Sequence, residues 1–270
     1  MTDTPDEDAI AAAYDRALAA EKRGDRDAAG AAWRALLALD PQDRGGAAIR
    51  LAALGLAPPP PVAPPAHVAL LFDQHAEVFD GMLVDQLGYH APLELREMLR
   101  LRGGWPWGRM LDLGCGTGLT GESLRDMADW IEGVDLSEGM LEIAEEKEVY
   151  DALHVGDAAG FLDHVDATWD LITATDVLPY IGALEGLAAG VARRLAPGGL
   201  FAFSTETAAP EAFAGRRWMV GPKQRYAHAL DYVSETFAAA GAPVAEAEAI
   251  VVRHDEGAPI PGHLVIARKP

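Results

Sequence analysis

Residues 109–121, Arg-Met-Leu-Asp-Leu-Gly-Cys-Gly-Thr-Gly-Leu-Thr-Gly, constrain this chain more than any other stretch. Met110, Leu111 and Leu113 form a short apolar run, and Gly114, Gly116 and Gly118 follow at alternate positions. The pattern predicts a buried strand, a loop where a ligand approaches the backbone, and a helix start. A pyrophosphate-binding loop reads G-x-G-x-x-G, which would put its third glycine at position 119. That position is Leu119. Asp112 adds a carboxylate that repels phosphate and suits an ammonium group. Cys115, inside the loop, reads as a small buried residue rather than a nucleophile.

Downstream, strand and helix patterns alternate, which predicts a parallel sheet covered on both faces. Strands are expected at Trp130–Val134, Ala152–Val155, Trp169–Ala174 and Leu200–Ser204, with a helix capped by Ser137 and another from about Ala183 to Leu195. A helix over 229–240 precedes two strands, about Val244–Arg253 and His263–Ala267, joined through the turn-rich Gly257–Gly262. The carboxyl ends of the parallel strands then carry the glycine loop, Asp135 with Leu136, Asp157 with Ala158, and Thr175 with Asp176. Ligands of open α/β sheets bind at those ends. Asp135 can accept two ribose hydroxyls, Met140 can pack on a flat base, Asp157 can accept from an exocyclic amine, and the Ala158 N–H can read a ring nitrogen. An adenosine carrying an amino acid fits this set better than a dinucleotide.

The N-terminal quarter is of another kind. Ile10, Tyr14, Ala17 and Leu18, then Ala29, Trp33, Leu36 and Leu37, lie at helical spacing on either side of a Gly24 turn, and Pro41 ends the second run. This pair resembles one tetratricopeptide repeat. A single repeat cannot bury its own face, so it must pack on the rest of the chain, a second subunit or a partner. Ala57–Ala66 holds six prolines in ten residues and predicts an extended linker. Residues 67–101 return to helical spacing, with Phe72, His75, Ala76 and Phe79 on one face and Pro92 at a helix start. The expected organisation is a helical hairpin over 1–56, a proline-rich linker over 57–66, a helical lid over 67–104, and the ligand-binding α/β domain over 105–270.

Composition narrows the partners. The formal net charge of −20 disfavours nucleic acid, and no apolar run is long enough for a membrane span. Cys115 is the single cysteine, which leaves no intrachain disulfide and no cysteine-built metal site. The start, Met1–Asp8, is acidic where a signal peptide is basic. These features predict a cytoplasmic protein.

Leu111–Gly118, Gly133–Ser137 with Met140, His154–Ala158 and Arg194–Gly199 together resemble the class I S-adenosylmethionine-dependent methyltransferases. The resemblance covers about residues 105–205. It implies an α/β, Rossmann-like sheet of seven strands with the last antiparallel. Asp112 and the Gly114–Gly118 backbone would hold the methionine part, Asp135 the ribose and Asp157 the adenine, with S-adenosylhomocysteine as product. Leu71–Asp80 and the tail residues Arg225–His228, Tyr232, Val252–Arg253 and Pro261–Gly262 extend the likeness to bacterial methyltransferases carrying tetratricopeptide repeats. Those proteins usually have tyrosine where this chain has His75.

On the acceptor side the candidates are His75, Tyr180 and His228 for catalysis, and Phe72, Asp176, Tyr226 and Arg253 for substrate contact. Each has a structural alternative: a lone histidine is as readily a packing residue, Asp176 a helix cap, and the phenylalanines core. Arg216, Arg217, Lys223 and Arg225 are either an attraction for an acidic molecule or a solvated loop. Asp176-Val-Leu-Pro-Tyr180 departs from the Asn/Asp-Pro-Pro-Tyr/Phe pattern of exocyclic-amine methylation, and no Pro-Cys nucleophile is present. Methylation of a small molecule is the favoured reaction. The alternatives are methylation of a protein recruited through the repeat, self-association through it, or a regulatory protein that binds the cofactor without turnover.

Overall fold

The computed structural model describes residues 7–270. Most of the acidic start lies outside the described residues. Helices α1 (Glu7–Lys22), α2 (Arg26–Leu39) and α3 (Ala47–Ala53) form a compact N-terminal module. Asp25 caps α2 by accepting from the Ala28 N–H at 3.1 Å, and Asp43 caps α3 by accepting from Ala47 and Ala48 at 2.6 and 2.9 Å. Ala17, Ala29 and Ala47 let the helices approach closely around the buried Trp33 and Leu36. The Trp33 indole N–H donates to Glu21 at 2.8 Å, so its one polar atom is satisfied.

The proline-rich segment does not act as a free linker. Ala63 N–H donates to the Tyr180 carbonyl at 2.9 Å, and the Pro61 carbonyl accepts from Gly182 and Ala183 at 2.9 and 2.8 Å. The extended backbone forced by the prolines leaves carbonyls pointing outward, and the loop after the fourth strand uses them. Ile49 of α3 packs with Ala63, Val68 and Tyr226, which joins the module to the rest of the chain.

The expected helical lid is broken into pieces. Helix α4 (Pro65–Asp73) gives way to a 3₁₀ turn at Ala76–Val78 and a wide π-type turn at Gly81–Gln86 before helix α5 (Ala91–Arg102). α5 belongs to the sheet: Leu95, Met98 and Leu99 pack with Met110, Leu200 and Ile266. The covering element is thus confined to residues N-terminal of α5.

The remainder runs β1 (Trp107–Leu113), α6 (Leu119–Leu124), β2 (Ala128–Asp135), α7 (Glu138–Glu146), β3 (Ala152–Val155), α8 (Ala158–His164), β4 (Trp169–Ala174), α9 (Glu185–Arg194) and β5 (Leu195–Glu206). It continues with α10 (Pro210–Phe213), a hairpin of β6 (Trp218–Val220) and β7 (Tyr226–His228), α11 (Leu230–Ala239), β8 (Val244–Asp255) and β9 (Ala258–Arg268). The seven-stranded sheet has the order β3-β2-β1-β4-β5-β9-β8. Strands β1 to β5 pair in parallel, and β9 is antiparallel to both neighbours. Side chains alternate between faces. Leu111, Leu113, Phe201, Phe203 and Val265 meet α8, α9 and α11 on one face, while Met110, Leu171, Ala202 and Ile266 meet α5 and α6 on the other.

Three local expectations change. The β8–β9 turn is two residues, Glu256 and Gly257, both at positive φ, the geometry that matches strand twist. The prolines placed in that turn instead lie within β9. β5 begins five residues early, at Leu195, and the β6–β7 hairpin was not anticipated.

Candidate active site

Strand order reverses between β1 and β4, and the chain opens a crevice there. A cavity of about 1270 Å³, open solvent at its mouth included, occupies it. Its floor is the glycine loop. Gly114 has φ +62°, and a Cβ there would lie 2.4 Å from Val177 Cγ2. Gly116 has φ +54° and nothing within 4 Å of a Cβ position, so its bare backbone faces open space.

Asp135, at the end of β2, accepts from the Gly116 N–H at 2.8 Å and from the Ser137 N–H at 2.9 Å. Burial pushes its pKa up, against those two hydrogen bonds. It lines the cavity with Leu136. Asp157 caps α8 by accepting from Gly160 at 2.8 Å and lines the cavity with Ala158. The Thr175 hydroxyl shares a hydrogen bond with Thr120 at 2.7 Å, and Thr175 and Asp176 form the wall after β4.

The structure brings Gly114, Cys115, Gly116, Asp135, Leu136, Asp157, Ala158, Thr175, Asp176, Phe72 and Tyr180 to one cavity. Other expected contacts lie elsewhere. Asp112 is 1% exposed and sits behind the loop, where Tyr150 donates to Oδ2 at 2.8 Å and Thr173 to Oδ1 at 2.7 Å. Burial raises its pKa to about 6. It braces the floor of the site rather than meeting an ammonium group. Gly118 is the residue before α6, outside the cavity lining. Met140 is fully buried, because its N–H donates to the capping Ser137 hydroxyl at 3.0 Å and its side chain turns to the core; Leu136 takes the cavity face.

Among the catalytic candidates, Tyr180 alone lines the cavity. His75 Nδ1 donates to the Leu71 carbonyl at 2.7 Å, one helical turn back. His228 is fully buried and its Nε2–H is shared between the carbonyls of Ile181 and Gly182 at 2.8 and 3.2 Å. Burial pushes its pKa down to about 4. Tyr226 donates to the Pro60 carbonyl at 2.7 Å and anchors the proline segment.

Arg253 and Arg225 stand behind the wall. Arg225 donates to Tyr180 Oη at 2.6 Å, to Asp176 Oδ1 at 2.5 Å and to Glu206 at 2.7 Å. Arg253 donates to Asp176 at 3.1 Å and to Glu206 at 2.7 Å. Two guanidiniums thus face two carboxylates in a largely buried, neutral square. Of the rest of the basic cluster, Arg217 pairs with Glu235 and Lys223 with Glu256, while the exposed Arg216 donates only to the backbone carbonyls of Phe213 and Ala212.

Segment 62–89 roofs the cavity. Val62, Ala63, Phe72, Phe79, Leu83 and Tyr89 all line it. Phe72 makes edge contacts with Phe79 at 5.7 Å and with Tyr180 at 5.3 Å between centroids. Asp80 receives Lys147 at 2.7 Å and the Thr117 hydroxyl, fastening the roof to the glycine loop. Val62, Leu83 and Tyr89 escaped the sequence reading; the one signal near them is the Gly88 turn, at φ +64°, ahead of α5.

Residues 111–203 match the family model described as a methyltransferase domain. A ubiquinone biosynthesis O-methyltransferase of Burkholderia vietnamiensis is 28% identical over 101 residues, 36% of this chain and 44% of that one. A malonyl-[acyl-carrier protein] O-methyltransferase of Erwinia pyrifoliae is 34% identical over 99 residues, 37% of each chain. The chain spans about half, or less, of the length of the curated relatives it matches. Among solved structures, the N-methyltransferase NodS of Bradyrhizobium japonicum in complex with S-adenosyl-L-homocysteine superposes with a TM-score of 0.58 at 16% identity, over 75% of this chain and 98% of that one. The fold is therefore the Rossmann-like methyltransferase fold.

Proposed function

We propose that this chain is a methyltransferase that takes a methyl group from S-adenosylmethionine and transfers it to a small-molecule acceptor. One observation carries the reading: a single roofed cavity unites the bare Gly116 backbone, Asp135 and Asp157 with an aromatic chamber behind Thr175. The donor set suits a nucleoside joined to an amino acid. Asp135 keeps lone pairs for ribose hydroxyls, Ala158 presents a backbone N–H beside Asp157, and the loop offers peptide groups without side chains. When bound, the cofactor supplies a methyl group on a sulfonium, already an excellent leaving group. The protein's part is then to align the acceptor in line with that methyl and to exclude water. The roof supports both tasks, since it closes the chamber from above. Relatives named as O-methyltransferases support oxygen as the accepting atom.

The N-terminal module is read as one tetratricopeptide-like unit. Its Ile49 face is spent on the roof segment and Tyr226, which favours an internal bracing role over recruitment of a protein substrate. No helix among the described residues is long and apolar enough to cross a membrane; the acidic composition and the single cysteine support a cytoplasmic setting.

Calorimetry with S-adenosylhomocysteine tests the cofactor half, with binding expected for the wild type and a loss of at least about tenfold in Asp135→Ala. Detection of homocysteine-nucleoside product in a screen of phenols, hydroxy acids and amines tests turnover. Full cofactor binding by Asp135→Ala would sink the assignment of that carboxylate.

A further inference from the structure

Residues 61–73 lie across the groove rather than beside it. The strand order β2-β1-β4 puts the loops after β2 and β4 on opposite banks of the glycine loop that follows β1. On the β4 bank, the Pro61 carbonyl accepts from the N–H groups of Gly182 and Ala183, and the Ala63 N–H donates to the Tyr180 carbonyl at 2.9 Å. On the β2 bank, Asp73 accepts from the Ser137 hydroxyl at 2.5 Å and from the Gly139 N–H at 3.1 Å. The banks are two strand spacings apart, about 10 Å. Helix α4, nine residues from Pro65 to Asp73, rises about 13 Å, which is enough to bridge them. Along this span Val62, Ala63, Pro65, Val68 and Phe72 line the cavity.

The N-terminal module grips the same segment from outside. Ile49 of α3 packs with Ala63, Val68 and Tyr226. The His67 ring lies against Gly46, where a Cβ would fall 2.6 Å from Nε2, and its Nδ1 donates to the Arg44 carbonyl at 3.1 Å. Tyr226, on β7, holds the start of the segment by donating its hydroxyl to the Pro60 carbonyl at 2.7 Å. It is fully buried and is not among the residues that line the cavity. Its ring is confined between Trp218, at 5.6 Å between centroids, and Gly182, where a Cβ would fall 2.6 Å from Cε1. A ring so confined fixes the position of its hydroxyl, and with it Pro60.

From this arrangement we infer that the N-terminal module backs the cofactor site: it holds residues 61–73 as a strap across the groove, and Tyr226 is a positioning residue that acts on the cofactor through Pro60. This rests on the methyl-transfer reading above, which puts the nucleoside on Asp135 and Asp157. The strap residues that line the cavity are all apolar, so the strap retains a bound nucleoside by covering it and excluding water rather than by hydrogen bonds. A ligand held under a strap leaves when the strap lifts. Contacts on the strap's outer side, remote from the ligand, therefore set the dissociation rate.

The test uses the full chain and S-adenosylhomocysteine, with dissociation followed by stopped flow and affinity by calorimetry. Tyr226→Phe keeps the ring and removes the hydrogen bond to Pro60. Ile49→Ala opens a gap behind the strap and serves where the first variant folds poorly. Each is expected to speed dissociation about three- to tenfold and to weaken affinity by a similar factor. Asp25→Ala is the control: it removes the cap of α2 and so destabilises the module without touching the strap, and its dissociation rate should match that of the wild type. Wild-type rates in both Tyr226→Phe and Ile49→Ala would overturn the inference. So would an equal acceleration in Asp25→Ala, since loss of stability alone would then account for the effect. Failure of the wild type to bind S-adenosylhomocysteine is a separate result, and it would count against the cofactor reading itself.

Discussion

Asp73 accepts the Ser137 hydroxyl at 2.5 Å and the Gly139 N–H at 3.1 Å. Ser137 in turn donates its backbone N–H to Asp135 at 2.9 Å. The end of the roof helix is thereby tied to the residue that caps α7, two positions from the carboxylate assigned to the ribose. Asp73→Ala removes the tie and leaves the cavity lining unchanged. S-adenosylhomocysteine should dissociate about three- to tenfold faster in stopped-flow measurements, with a loss of only about 1 kcal/mol in denaturant unfolding. An unchanged off-rate would mean that the roof is held by Asp80 and the proline segment alone.

The cofactor end of this site was legible because it is local. A strand end, a run of alternate glycines and an acid at the next strand end define it, and Gly114, Gly116, Asp135 and Asp157 all line the one cavity. The misreadings come from long-range partners. Asp112 looked available because nothing near it in sequence claims its oxygens; Tyr150 and Thr173 do, from 38 and 61 residues away. Met140 turns away from the cavity that Leu136 lines, because the Ser137 cap sets which way the first turn faces. Tyr226 and His228 looked like acceptor-side groups because a short polar strand gives no sign of burial; the Pro60 carbonyl that Tyr226 meets is 166 residues distant. Proline content foretold the extended backbone of 57–66 but not the surface on which it lies.

The buried square of Asp176, Glu206, Arg225 and Arg253 should respond steeply to removal of one corner. Arg225→Met keeps the length of the side chain but leaves Asp176, Glu206 and Tyr180 each short of a donor. A loss of about 3–5 kcal/mol in chemical unfolding is expected. A loss below about 1 kcal/mol would indicate that Arg253 alone satisfies both carboxylates.

His228 makes stability depend on pH. Its pKa is about 4 in the fold and about 6.5 in an unfolded chain. The unfolded state therefore binds more protons between those values, and stability rises with pH there. The contribution is fully present above about pH 6.5 and is lost as pH falls towards 4. In His228→Gln, which retains a donor for the Ile181 carbonyl, the unfolding free energy should vary less between pH 4.5 and 7 than in the wild type. Equal slopes would show that His228 is not the group responsible.

Gly114 tolerates no side chain. Alanine there must hold φ +62° and meet Val177 Cγ2 at 2.4 Å, so Gly114→Ala should weaken S-adenosylhomocysteine binding by more than about tenfold or prevent folding. The double variant Gly114→Ala/Val177→Ala relieves the clash but not the backbone strain, and partial recovery of binding, read by calorimetry, is the expected outcome. Full recovery would mean that sterics alone exclude the methyl group.

The stretch that the methyltransferase-domain model matches, 111–203, does not enclose the chamber by itself. Its roof comes from residues synthesised before any strand of the sheet, and the supports behind its wall, Arg225 and Arg253, from residues synthesised after the matched stretch ends. A fragment cut at those limits would keep the glycine loop and Asp135 but expose them on an open ledge. Under the proposed function, the central segment handles the cofactor and the flanks shape the acceptor side of the chamber. Exchanging the flanks between relatives should carry acceptor preference with them while the central segment goes on binding the same nucleoside.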